Sequence, residues 1–191
     1  MKKILKITVA MVMAASLCAC GASVSTEKSE TGQLNTSIVG TKVKLNNVEY
    51  EFPEGYTFDE GKVTSPIGMS YATVYNKDGN TIGVCSDGMY TENITKENMI
   101  DAANTAYMTV HNLENPLDLT EDMFLEAENV VILIIELDDG TAIFTGQLGT
   151  PNFSYITETT NDVDLVMQDY LSQVILQLGG QEDYDLFFTQ S

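Results

Sequence analysis

From residue 43 the chain alternates apolar and polar side chains with a strand period. Val43 and Leu45 alternate with lysines, then Val48, Tyr50 and Phe52 alternate with acids. A period of two puts one set of side chains on a core face. Asn46-Asn47 separate the two runs, and asparagine tolerates the positive φ of tight hairpin turns. Residues 43–52 therefore read as a hairpin, closed by Pro53-Glu54-Gly55. A second hairpin is predicted from 70–75 and 81–85 around Asn76-Lys77-Asp78-Gly79-Asn80. The strongest β signal is the β-branched run 130–137, which joins 141–148 through Asp138-Asp139-Gly140. A further short strand is expected at 153–157.

Two stretches change period. After Thr95, read as a helix cap, Met99, Ile100, Ala103, Ala106, Tyr107 and Val110 recur at three and four residues, the spacing of one helical face. Asn161 is expected to cap a last helix whose stripe is Val163, Val166, Met167, Tyr170, Leu171, Val174, Ile175 and Leu178, ended by Gly179-Gly180. Residues 114–129 are acidic and irregular, with a short turn begun by Thr120. Runs of hairpins broken by two amphipathic helices predict an α+β fold, an antiparallel sheet with the helices packed on it. The boundaries expected are a single domain over 38–180 and an acidic tail over 181–191. The tail carries Phe187 and Phe188, which are expected either to pack back on the domain or, if exposed, to contact a partner.

The N-terminal residues follow another grammar. Lys2, Lys3 and Lys6 precede an apolar run from Ile7 to Leu17, the layout of an export signal. The run is shorter than the ~20 apolar residues a spanning helix needs. It ends in Leu17-Cys18-Ala19-Cys20, which resembles the lipobox of bacterial lipoproteins. The resemblance implies a signal peptide over 1–19, cleavage before Cys20, and a diacylglyceryl group of the palmitate type on the Cys20 sulfur. Cys18 is lost with the leader on this reading. Two acyl chains at roughly 0.8 kcal/mol per buried CH₂ hold a domain stably on a membrane, where one would not. The implied location is the extracytoplasmic side of the cell membrane. Residues 20–37 then hold the lipidated cysteine and a Ser-, Thr- and Gly-rich tether with a reach of roughly 20–25 Å.

A second resemblance concerns the fold. Phe52-Pro53-Glu54-Gly55-Tyr56, with the order of hairpins and helices over 42–178, resembles the PsbP-like fold. Members of that fold bind unrelated partners, so the resemblance implies a scaffold and no chemistry.

Charge narrows the partners. The chain carries 28 acidic residues and a formal charge of −19. Without the three leader lysines, six lysines against 28 acids leave −22, and no Lys or Arg follows Lys96. Such a field repels phosphate backbones, so no nucleic-acid partner is expected. Anionic headgroups are repelled as well, which leaves the lipid to make the membrane contact. An acidic surface of this kind is first of all a solubility device.

Candidate chemistry is sparse. With Cys18 removed and Cys20 acylated, Cys85 is the remaining thiol, and His111 is the single histidine. A Cys–His pair would need the two within hydrogen-bond reach, and no local motif supports one; no catalytic residue and no cofactor is assigned. Zinc would lack its usual ligands. Calcium favours several carboxylate oxygens, and the densest acids, Glu114, Asp118, Glu121 and Asp122, with Glu126 and Glu128 beyond them, are the candidate ligands. The EF-hand spacing is absent, as are the Gly-x-Ser-x-Gly elbow and the phosphate loop. The reading that follows is a membrane-anchored lipoprotein acting as a binding or interaction module, with another envelope protein as its partner. The alternatives are an envelope hydrolase using carboxylates and a calcium-binding surface domain.

Overall fold

The computed structural model describes residues 36–63, 66–137, 140–158 and 163–188, with side chains of the last stretch from Tyr170 onward. Cys20, the Asp138-Asp139 turn and the Asn161 cap lie outside them. The chain begins with three short strands, β1 (Thr36–Val39), β2 (Lys42–Leu45) and β3 (Val48–Glu51), paired antiparallel in that order. The alternation read from the sequence is what the sheet uses. Val43, Leu45, Val48 and Tyr50 are fully buried, while Lys42, Lys44, Glu49 and Glu51 stay outside. Asn46 takes φ +45° at the turn. β1 starts inside the stretch expected to be tether, and residues 36–39 pair with β2 in register.

A larger sheet follows, built from β4 (Thr57–Val63), β5 (Gly68–Tyr75), β6 (Thr81–Met89), β7 (Leu125–Glu126), β8 (Val130–Leu137), β9 (Gly140–Gln147) and β10 (Asn152–Glu158). Its spatial order is β4-β5-β6-β10-β9-β8-β7, and every neighbour is antiparallel. The sheet thus joins a β4-β5-β6 meander to a β7-β8-β9 meander by inserting the last strand between them. β6 runs on to Met89, so Cys85 sits in mid-strand and not at the strand end expected from sequence.

Helices cover both faces. α1 (Met99–His111) buries Met99, Ala102, Ala103, Ala106 and Tyr107 against Phe144, Phe153, Tyr155 and Val131. Asn98, not Thr95, occupies its N-cap position; the Asn98 side chain instead accepts the Thr95 N–H at 2.8 Å. α2 (Val163–Leu178) packs on the opposite face beside the small sheet, with Tyr170, Val174, Ile175 and Leu178 in a core shared with Tyr50, Phe52, Ile143 and Ile156. A third helix, α3 (Gly180–Phe188), forms in the stretch expected to be an acidic tail. Gly180, at φ +84°, turns the chain into it. The result is α+β: two antiparallel sheets and three helices with a core on each face of the larger sheet. Each fully buried Val, Leu, Ile or Phe contributes roughly 1.5–3 kcal/mol, so two such cores supply the stability that disulfides give many small domains.

Candidate functional site

Across β5, β6, β10 and β9 one row of the large sheet is polar: Ser70 pairs Asp87, Asp87 pairs Ser154, and Ser154 pairs Thr145. All four are buried to within 1 % of full coverage. The next row toward the centre, Ala72, Cys85, Ile156 and Ile143, belongs to the core shared with α2 and the small sheet. A side-chain period of two puts the polar row on that same face, beneath the β2–β3 turn.

The turn is fastened to this row. The Asn47 N–H donates to Asp87 Oδ2 at 2.6 Å, and Asn46 Nδ2 donates to the Asp87 carbonyl at 2.8 Å. Tyr50 Oη and Ser154 Oγ share a hydrogen bond of 2.7 Å. Asp87 Oδ1 is buried and, among the described residues, has no hydrogen-bond partner. Burial pushes the Asp87 carboxyl up to about 8, against the backbone N–H groups of Asn47, Val48 and Gly88, which favour the ionised form. Burial also raises the Tyr50 phenol well above its usual range.

From the turn a chain of uncharged amides runs along the end of the sheet. Asn47 Nδ2 donates to Asn152 Oδ1 at 3.0 Å, and Asn152 Nδ2 to Gln147 Oε1 at 3.0 Å. Gln147 Nε2 then donates to the Leu178 carbonyl at the end of α2, at 2.8 Å. The chain continues into α3. Asn129 Nδ2 donates to the Gly179 carbonyl at 3.1 Å, and the buried Asp183 accepts the N–H groups of Glu128 at 3.1 Å and Asn129 at 2.9 Å. The end of the molecule that joins both sheets to α2 and α3 is thus tied by the amides of Asn47, Asn152, Gln147 and Asn129 together with the buried acid Asp183.

The residues singled out from sequence fall elsewhere. Cys85 lies in the core on the α2 face, whereas His111 binds Tyr155 Oη at 3.1 Å on the α1 face, so the sheet stands between thiol and imidazole. Burial raises the Cys85 thiol far from ionisation. A cavity of about 10 Å³ beside it, lined by Val74, Ile82, Ile156 and Tyr170 among others, has room for one water at most. Glu114, Asp118, Glu121 and Asp122 are exposed, and among the described residues no three His, Cys, Asp or Glu side chains gather as a metal site. Lys96 bonds Glu126, a further member of that acidic stretch. Phe187 and Phe188 are half-buried and pack against the α2-side core, Phe188 against Tyr184.

Asp87, Ser70 and Ser154 escape a sequence reading because Ser-Asp-Gly at 86–88 has turn-forming chemistry. The available signal was position. Each lies two residues from an apolar core position of its own strand, Asp87 from Cys85, Ser70 from Ala72 and Ser154 from Ile156. No protein-family model, curated protein or solved structure matches the chain. Among the described residues no helix is long and apolar enough to cross a membrane.

Proposed function

We propose that this chain is an exported lipoprotein, acylated on Cys20, whose α+β domain is a binding module for another protein of the cell envelope. The observation that carries the reading is the lipobox-like Leu17-Cys18-Ala19-Cys20 after a basic and apolar leader. The architecture supports a binding role over a carboxylate hydrolase. Both faces of the large sheet are covered. The buried acids of β6 and β10, Asp87 and Glu158, belong to rows four residues apart, about 13 Å at a strand's rise, with Cys85 and Ile156 between them. Core side chains thus separate the two acid-bearing rows, where a glycosidase sets both carboxyls across one cleft. The order of strands and helices is also what supports the PsbP-like resemblance, which we propose as a description of the scaffold alone.

The test is metabolic labelling with a tagged fatty acid in a bacterial host, comparing the native chain with Cys20→Ala, followed by crosslinking in membranes and mass spectrometry. Label on the native chain, its loss in Cys20→Ala, and one envelope protein recovered near one-to-one are the expected results. An unlabelled native chain overturns the anchor, and recovery of the chain alone overturns the stable partner.

A further inference from the structure

The carboxyl of Asp87 is buried in the polar row, and the element that covers it is a two-residue turn. Asp87 is 0 % exposed. Oδ2 takes the Asn47 N–H at 2.6 Å, the backbone N–H groups of Val48 and Gly88 also favour the ionised form, and Oδ1 has no hydrogen-bond partner among the described residues. A buried carboxylate with an unpartnered oxygen is costly, and a neutral carboxyl much less so. The titratable groups facing it are the Tyr50 phenol from β3 and the Cys85 thiol from its own strand, and burial keeps both neutral. β5 and β10 present serines, and the turn presents asparagines. The surroundings therefore supply no cation to balance an ionised Asp87.

Water could reach the open oxygen most cheaply by moving the turn. The rest of the small sheet is anchored by Val43, Leu45, Val48 and Tyr50 in the core. The turn is held by hydrogen bonds that include those from Asn46 Nδ2, the Asn47 N–H and Asn47 Nδ2, with Asn46 Oδ1 accepting from Ser70 Oγ at 3.5 Å. We propose that the Asn46–Asn47 turn is a proton-operated latch: neutral Asp87 keeps it seated on the sheet, and release of the Asp87 proton to solvent lifts it and opens the polar row of Ser70, Asp87 and Ser154. Opening would also detach Asn47 from Asn152 and so break the amide chain at its first link. The latch is a property of the domain and stands apart from the lipid anchor and the envelope partner.

The experiment uses the full chain in detergent. Carboxyl-carbon NMR follows the titration of Asp87, and amide hydrogen exchange, corrected for intrinsic pH dependence, follows the Asn47 N–H. The expected result is an Asp87 midpoint near 8, with protection of the Asn47 amide falling by about tenfold or more across it, the size of a local opening. In Asp87→Asn the amide should stay protected over the same range. An Asp87 midpoint near 4, or protection that holds or rises while Asp87 ionises, overturns the latch. If Asp87→Asn does not fold, the native titration decides alone.

Discussion

Gln177 and Glu49 exchange two hydrogen bonds, the Glu49 N–H to Gln177 Oε1 at 2.8 Å and Gln177 Nε2 to the Glu49 carbonyl at 2.7 Å. Gln173, one turn earlier on α2, repeats the arrangement with Glu51 at 2.8 and 3.3 Å. The two glutamine side chains bind the open edge of β3 as a neighbouring strand would. An exposed strand edge is a template for pairing with another chain, and here a helix occupies it. The contact explains how a four-residue edge strand keeps its place with one strand neighbour in its sheet.

Replacing Gln177 by Ala should therefore cost stability and loosen the edge together. The bonds are solvent-exposed, so the cost is about 0.5–1.5 kcal/mol, read from urea denaturation. Gln177→Glu should cost more than Gln177→Ala, because it sets a carboxylate against the Glu49 carbonyl. Equal stability of all three chains would show that the edge is held by the core alone.

Asp183 joins α3 to the turn before β8 by accepting two N–H groups while itself buried. Asp183→Ala leaves both donors unsatisfied, at about 2–4 kcal/mol for the pair. Truncation after Gly180 should destabilise at least as much, because it also removes Tyr184, Phe187 and Phe188 from the core. Thermal melting separates the outcomes. An unchanged melting temperature after truncation would mean that α3 is not part of the folded unit and would free its two phenylalanines for a partner.

Gly83 faces the Thr157 carbonyl so closely that a Cβ would stand 2.1 Å from the oxygen. The obstacle is backbone on a paired strand, which cannot rotate away as a side chain can. Gly83→Ala should cost about 2–4 kcal/mol by forcing β6 and β10 apart. Gly61→Ala, on the edge strand β4, meets the Tyr71 ring of β5, a side chain that can swing aside, and should be milder. Denaturation midpoints that rank the two the other way would contradict the β6–β10 register.

Local pattern made most of the elements legible. Val43 to Phe52 and the α1 stripe each carry a period that one partner surface satisfies, and the unbroken apolar run 130–135 lies in a strand with side chains buried on both faces. The elements that were missed lack such a pattern. β4 (Thr57–Val63) is an edge strand whose Asp59, Glu60, Gly61 and Lys62 carry no apolar alternation, and Tyr71 packs over the glycine where a side chain would sit. α3 follows Gly179-Gly180, a stop signal in sequence, and its anchor, Asp183, is an acid whose partners lie more than fifty residues away. The insertion of β10 between β6 and β9 is a long-range choice that no window of the chain encodes. The polar row was hidden for the same reason: Ser70, Asp87 and Ser154 become one feature only when three distant strands align.

That alignment gives stability a pH dependence of unusual sign for a carboxylate. The Asp87 carboxyl is raised from 3.8 to about 8 in the fold, so between these values the folded chain holds a proton that the unfolded chain has released. Its contribution is complete below the unfolded value and is lost as pH rises to the folded one. Between these values Asp87 adds a slope of its own to the stability, which comparison with Asp87→Asn isolates. That slope should cost the native chain on the order of 1.4 kcal/mol per pH unit up to about 8 and then level off. Asp87→Asn, neutral at every pH and able to keep an oxygen toward the Asn47 N–H, should flatten that slope and be the more stable chain at pH 8. Urea denaturation of both chains from pH 5 to 9 reads the difference directly. Parallel slopes would place the ionisation of Asp87 at its ordinary value and leave the buried row to be explained by water.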